Sequence, residues 1–593
     1  MATPKQELKG PDAGPALGAW ADTVPWAQTR VGSSLVRRLR WIAARPHVIL
    51  LAFVLIAVLL NFWETRGQTF YSDEWGRLFF PSADNDSFAS LLRWRSGHLV
   101  ILHVLLYKGL FGVFGADSYT PFRIVEALLV GTCGLLFYAL ARTRAGAWPS
   151  LAATLVLLFL GSAWEVTATP YGSVILLPVA FGLAALLCLQ RFPQRRDVLA
   201  CLLLIAAVAS HSDGLAFVAA ATVLLAIQSG RRFWTRIWVV AVPGALYVVW
   251  LAWYRITATG PTPEPVQAHN LGEVPSTALS VCAAGISAIS GFFGASGPGI
   301  AGSFNLQAGY LLVGLLVIGV IWRIRRGSPP AREIWVPVVL ALTFWTLLGM
   351  VTSTQRTPTE SRYIYPSAVF LLLILLEFAR SIRLTPRVAL IGVGALLISL
   401  VPNGINLHEQ ARQIRAASAD ERVELGALEL LRGEVPAASI PYLSRKNNIL
   451  SVGGEGFRIL PVTYFPAFDR YGSPAYSPAQ IAAAGEKRRQ AADKVLLQGD
   501  DLTLSSLSAG ASAGGHGCRS TGGQPIGVPA AGLEIRPRRS RANVTVAARR
   551  FATGFQRLSL PAGSGPMVLK PGTSQAVRQW SVEVDGATVC AIE

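Results

Sequence analysis

Charge is what this sequence has least of. Asp, Glu, Lys and Arg make up only 15% of its 593 residues, where a soluble domain carries about a quarter. Acids are the scarcer sign, 34 against 53 Lys and Arg, which leaves a net charge of +19. No basic face with interleaved aromatics accompanies that excess, so nucleic acid is excluded as a partner. Six cysteines are present and none forms a CxxC pair, which excludes the common zinc and dithiol motifs. HExxH, P-loop and a GxGxxG following a strand are missing as well. Metalloprotease, P-loop ATPase and dinucleotide dehydrogenase fall away with them.

What is present in quantity is apolar sequence, 52% of the chain, gathered in runs of bilayer length. Eleven spans are read at roughly 47–63, 119–141, 148–166, 173–190, 198–210, 214–229, 237–254, 307–323, 334–352, 363–380 and 387–402. The first run begins after 46 residues and no small-residue cleavage site follows it, so it is expected to remain as a span. The stretch 97–115 is apolar but carries His98, His103 and Lys108, and reads as a helix along the interface. The loop 255–305 is expected to hold a weakly apolar re-entrant stretch at 276–300.

Arginines punctuate the runs. Arg142 and Arg144, then Arg191, Arg195 and Arg196, then Arg231, Arg232 and Arg236, then Arg323, Arg325 and Arg326, then Arg380, Arg383 and Arg387 all fall on one side, with the basic tail 1–46. The positive-inside rule makes that side cytoplasmic. A multi-pass protein with its N-terminus inside is therefore expected, and the Ala-, Arg- and Gly-rich usage with few Lys suggests the plasma membrane of a GC-rich bacterium. Residues 1–46 form a basic tail, 47–402 the membrane domain and 403–593 an extracytoplasmic domain. That last part starts with helical period, then reads as strands from about 530 (GLEIRP, NVTVAARRF, QRLSLP, PMVLKP, QWSVEVDG, ATVCAIE). Short alternating segments broken by Gly and Pro predict a small β-sandwich. Residues 508–517 read as a flexible linker or loop. Cys518 and Cys590 lie in this outer part, where disulfides persist. A bond between them would stabilise by about 2–4 kcal/mol; two separate thiols are the other reading.

Ionisable residues on the outer side are candidates for chemistry. Asp73 and Glu74 are adjacent carboxylates just after the first span, flanked by Phe70, Tyr71 and Trp75. Such a pair can raise one pKa and supply a proton acceptor, and admits a divalent cation; a solvated, helix-capping acid is the plainer reading. Glu165, His211 and Asp213 lie at span ends, where charge is costly and marks a site or pathway unless the headgroup region solvates it. Arg362, followed by Tyr363, is a fixed cation whose planar fork suits phosphate, or an interface anchor. Asp84-Asn85-Asp86 has the form of a DxD metal motif, with Asp86 equally readable as an N-cap.

In order and sidedness these motifs resemble the GT-C superfamily of membrane glycosyltransferases, which includes protein O-mannosyltransferases, aminoarabinose transferases and arabinofuranosyltransferases. The resemblance rests on Ser72-Asp73-Glu74-Trp75, on Gly97-His98-Leu99 opening the interface helix, on Pro121-Phe122-Arg123-Ile124, and on Arg362-Tyr363 before Pro366. The family's usual His-Pro-Pro is here His98-Leu99-Val100. The resemblance covers roughly 47–402 and implies a GT-C-like helical fold. It also implies transfer of a sugar from a polyprenyl-phosphate donor to a hydroxyl of a glycan, lipid or protein acceptor. Asp73 would be the base, Glu74 or His98 would orient hydroxyls, and Arg362 would neutralise the departing phosphate. The rival class is a transporter or flippase of a lipid-linked precursor. Transporters usually carry their acids at mid-bilayer on paired repeats, and no repeat is visible here.

Overall fold

A computed structural model describes residues 45–70, 74–79, 88–93, 98–191, 195–257, 268–292, 305–326, 330–351, 357, 359–380, 385–433, 459, 461–508, 512–538, 544–560 and 565–592. Asp73 and the Asp84-Asn85-Asp86 motif lie outside the described residues. The chain divides into two compact units. The first comprises Met1–Arg66, Asp86–Leu110 and Thr120–Gln413; the second comprises Gly67–Asn85, Phe111–Tyr119 and Ile414–Glu593.

The first unit is helical. Its elements are α1 (Pro46–Glu64), α2 (Ile101–Phe114), α3 (Thr120–Ala145), α4 (Ala147–Leu158), α5 (Trp164–Thr167), α6 (Ser173–Arg191), α7 (Asp197–Ser210), α8 (Gly214–Ser229), α9 (Trp238–Thr257), α10 (Val274–Ser290), α11 (Leu306–Arg325), α12 (Trp335–Met350), α13 (Ser361–Ala379) and the start of α14 (Pro386–Leu430). Pro46 opens α1 in the first turn, where its missing N–H costs nothing. Leu50, Val54, Ala57, Asn61 and Glu64 recur every three or four residues and are buried, while Leu51, Leu55, Leu59 and Trp63 remain exposed. One stripe packs inward and the rest offers an apolar surface suited to lipid. Close approach is purchased by glycine: a Cβ at Gly182 on α6 would lie 2.2 Å from the Phe217 ring of α8.

Side-chain bonds sort the helix ends into two faces. On one, Gln190 donates to Thr143 Oγ1 at 2.8 Å. Arg144 meets Glu377 at 2.5 Å and the Glu333 carbonyl at 3.1 Å. Arg323 donates to the Phe378 carbonyl at 2.5 Å. Arg236 grips Asp197 through two bonds, at 2.8 and 2.6 Å, and also holds Ser229. This face carries the arginine clusters, and its buried pairs neutralise part of them. On the other face, Arg123 donates to Thr65 at 3.1 Å, Asn403 accepts from the Ser162 N–H at 2.9 Å, Asn406 donates to the Gly161 carbonyl at 2.9 Å, and His408 lies 3.1 Å from Glu64.

Ten described helical stretches are long and apolar enough to cross a membrane. One of them, Asn270–Ser290, includes α10, yet both its ends meet partners of the second face. Asn270 donates to the Met350 carbonyl at 2.9 Å, while Asn403 and Ser399 donate to the Ala288 and Ile289 carbonyls at 3.0 and 2.5 Å. Both ends of this unbroken helix therefore lie toward the second face. Conversely α7 and α8, at 14 and 16 residues, are short for a span, but they join the Asp197–Arg236 end to the His211–Asp213 turn.

In the second unit, Phe70 meets the rings of Trp75, Phe79 and Phe111 at 5.4 Å and Tyr119 at 4.9 Å, all buried. Beyond α14 come α15 (Pro461–Tyr471), α16 (Pro478–Ala483) and α17 (Glu486–Gln498), then strands β1 (Leu502–Ser506), β2 (His516–Ser520), β3 (Ile526–Gly527), β4 (Leu533–Pro537), β5 (Thr545–Arg549), β6 (Gln556–Arg557), β7 (Met567–Pro571), β8 (Ser581–Asp585) and β9 (Ala587–Ala591). They form two sheets, ordered β1-β7-β4-β9-β2 and β3-β8-β5-β6, with every pair antiparallel. Sheet residues begin at Leu502 rather than near 530, and the stretch expected as a linker runs into β2. Ile535, Val546, Leu569, Trp580 and Val584 fill the core together with Val495 and Leu496 of α17. Asp493 fastens that helix by accepting the N–H groups of Arg550, Phe551 and Ala552 at 2.9, 2.8 and 3.0 Å. Cys518 and Cys590 are joined by a disulfide.

Glu534 on β4 accepts from Arg536 at 2.8 Å and from the Ala513 and Gly515 N–H groups at 3.2 Å. These donors, Arg536 foremost, hold its carboxyl down from 4.5 to about 2. The depressed value means that this stabilisation is complete above pH 4.5 and is lost as pH falls toward 2. Glu534→Gln in the intact chain should flatten the acid dependence of hydrogen exchange across 512–538 in that window. An unaltered acid profile would show that the carboxylate contributes nothing there.

Candidate functional site

The second face of the helical unit gathers most of the polar groups singled out in the sequence. Two constellations form there. The first begins where α4 stops. Between Leu158 and Ser173 the chain makes 3₁₀ turns at Gly161–Ala163 and Pro170–Gly172, with α5 between them. Such backbone is tolerated in a membrane protein only when protein covers it and its polar groups find partners. Both conditions hold: Gly161–Thr169 is buried, and Asn61, Asn403, Asn406, Thr167 and Ser361 bond to it. A Cβ at Gly161 would sit 1.9 Å from the Asn403 carbonyl oxygen, so only glycine admits α14 this close.

The break presents Glu165 to the first turn of α13. Its Oε2 accepts the Arg362 N–H at 3.0 Å, and its own N–H donates to Ser361 Oγ at 3.2 Å. A carboxylate at a helix N-terminus satisfies an orphan donor and faces the positive end of the dipole. Glu165 therefore holds the turn that carries Arg362. The Arg362 guanidinium pairs through Nη2 with Glu360 Oε2 and lies 5.4 Å from the centre of the Tyr363 ring. Glu360 precedes the helix in extended backbone, and its Oε1 accepts the Thr357 N–H at 3.1 Å.

The second constellation joins distant segments. His98 stacks on His211 with ring centroids 3.8 Å apart and planes 30° from parallel. His211 Nδ1 lies 3.1 Å from Asp213 Oδ1 and 3.3 Å from the Asp213 backbone N–H. Donation to the carboxylate leaves the lone pair on Nε2, whereas acceptance from the N–H leaves the proton there. The group can thus present either a base or a donor. Ser212 and Tyr247 hydroxyls are 3.2 Å apart beside it. Nearby in sequence, His103 Nε2 lies 3.0 Å from Ser173 Oγ at the start of α6.

Glu74 belongs to the second unit. It is fully buried, and the Tyr119 hydroxyl reaches both its oxygens, at 2.8 and 2.6 Å. The structure thus brings Glu165 together with Arg362, and His98 with His211 and Asp213. Among the described residues no group of three or more His, Cys, Asp and Glu is placed to hold a metal ion; the cation expected at Asp73 and Glu74 involves a residue outside them. Sequence reasoning placed Glu360 in the segment of Arg362 without a role of its own, and missed Tyr247 and Tyr119. Only Glu360 carried a signal, a Glu-x-Arg pair at a helix start.

No family model matches the chain, and no curated protein matches it. Among solved structures it is similar to ArnT from Cupriavidus metallidurans in the apo state, with 14% identity and a TM-score of 0.37, covering 74% of this chain and 78% of that one. The same protein bound to undecaprenyl phosphate gives 17% identity and a TM-score of 0.37, covering 73% and 77%. Superposition at that level carries no argument about the site.

Proposed function

We propose that this chain is a GT-C-type membrane glycosyltransferase. In this reading it moves a hexosyl or pentosyl group from a polyprenyl-phosphate donor to a hydroxyl of a cell-envelope glycan, lipid or protein, on the outer face and with inversion. The observation that carries the reading is Arg362, a forked cation seated at a helix N-terminus on the face opposite the arginine clusters. The charge rule makes that face extracytoplasmic, where no nucleotide is supplied and the lipid phosphate must itself be the leaving group. Asp73 takes the acceptor proton as the acceptor oxygen bonds to the anomeric carbon and the bond from that carbon to the phosphate oxygen breaks. Arg362 receives the charge that grows on the phosphate, flanked by Tyr363. Glu74, His98, His211 and Asp213 are assigned to sugar and acceptor hydroxyls, and Glu165 to the turn beneath Arg362.

The test is reconstitution of the intact chain in liposomes with a polyprenyl-phosphate sugar and an envelope acceptor. Release of polyprenyl phosphate together with glycosylated acceptor is expected. Movement of the intact donor across the bilayer without bond cleavage would overturn the reading in favour of a flippase. The sidedness has its own check. A cysteine replacing Ser473 should react with an impermeant reagent in intact cells, and labelling only after lysis would place the site on the wrong side.

A further inference from the structure

The Arg362 guanidinium, on which the proposed function depends, already holds an anion. Glu360 is 4% exposed and its carboxylate pairs with Arg362, whose side chain keeps 26% of its exposure. Two carboxylates therefore meet the first turn of α13, and they are not equivalent. The Glu165 carboxylate meets backbone, accepting the Arg362 N–H, and its own N–H donates to Ser361 Oγ. Ser361 is in turn tied to the Ser162 carbonyl at 3.0 Å. Withdrawing Glu165 would leave a buried helix end uncapped. Glu360 instead bonds the side-chain fork, with one oxygen on Nη2 and the other on the Thr357 N–H. A carboxylate on a guanidinium occupies the geometry that a phosphate would take.

We infer that Glu360 is an internal competitor for the phosphate of the donor. A monoanionic or dianionic lipid phosphate arriving at Arg362 meets a like charge at the same fork, so the two must exchange. In the ligand-free protein Glu360 keeps the guanidinium neutralised and aimed. In the loaded protein the phosphate takes Nη2, and Glu360 keeps only its backbone partner. After transfer the carboxylate returns and helps to expel the product, polyprenyl phosphate. The residue thus sets donor affinity and product release, and Glu165 sets the position of the turn. This inference rests on the reading of Arg362 as the phosphate ligand.

The experiment measures binding of undecaprenyl phosphate to the full-length chain in nanodiscs. Glu360→Gln keeps size and hydrogen bonding and removes the charge. It should tighten binding by roughly tenfold, the scale of one partly buried charge pair, and should slow turnover when product release is limiting. Glu165→Gln should not tighten binding, because its carboxylate lies on backbone. The double variant Glu360→Gln with Arg362→Ala should lose the gain. If the unaltered chain binds and Glu360→Gln binds equally or more weakly, the competition is refuted and Arg362 keeps its role. Equal tightening by Glu165→Gln refutes it as well, since the effect would then be bulk charge. If neither the unaltered chain nor Glu360→Gln binds the lipid, the assignment of Arg362 to phosphate falls, and the competition with it.

Discussion

Asp501→Ala should unfold the sandwich of the second unit at temperatures where the unaltered chain holds it. Asp501 and Arg550 side chains are both fully buried and meet at 2.6 Å. The same Asp501 oxygen accepts from Trp580 Nε1 at 2.8 Å, and its other oxygen accepts from Ser574 Oγ. Arg550 also donates to Ser574 Oγ at 2.6 Å and to the Arg578 carbonyl at 2.8 Å. Every strong partner is thus inside the protein. Removing the carboxylate leaves a guanidinium with no water to receive it, a loss of about 3–5 kcal/mol. Replacing both partners by apolar residues of similar volume, Asp501→Leu with Arg550→Met, should cost less than either single change because no charge is stranded. Hydrogen exchange or limited proteolysis over 500–592 in the full chain reports both. An unchanged profile in Asp501→Ala would mean that the pair is solvated, contrary to its burial.

The sidedness of the membrane helices was legible because carrying arginine through a bilayer is costly enough to be written into composition. Arg144, Arg236 and Arg323 then meet partners on a single face, as the clusters require. The strands after 530 were legible because β4, β5 and β8 bury alternate or successive residues against a core. β2 was not, since all five of its residues are exposed and no alternation is left to read. Nothing local, however, says that Gly67–Asn85 and Phe111–Tyr119 belong with residues beyond 413. Aromatic packing such as that of Trp75 on Tyr464 and of Phe79 and Phe111 on Tyr471 decides it, and ring pairs separated by hundreds of residues leave no period. The site behaves in the same way. That Glu165 and Arg362 carry charge near span ends could be seen in the sequence. That one caps the turn bearing the other required two helices to meet across 197 residues.

Asp73→Asn should abolish sugar transfer while leaving expression and donor binding close to normal, and Arg362→Ala should impair both. The two changes separate because the proposed roles differ in when they act. A general base is needed only as the acceptor proton leaves, so its loss lowers turnover by on the order of 10²–10⁴ with little change in affinity. Arg362 meets the phosphate in the bound donor and again as the leaving group gathers charge, so truncation weakens ground state and transition state together. Arg362→Ala also frees Glu360, leaving a buried carboxylate without its cation. Arg362→Lys is therefore the sharper probe: it keeps the charge but not the fork, and should restore part of the donor affinity with little of the turnover. Turnover and donor KM, measured with a polyprenyl-phosphate sugar on the reconstituted chain, distinguish these outcomes. Full activity in Asp73→Asn would remove it as the base and shift attention to His211, whose Nδ1 already faces a carboxylate at 3.1 Å. Normal donor KM in Arg362→Ala would move the phosphate elsewhere on this face.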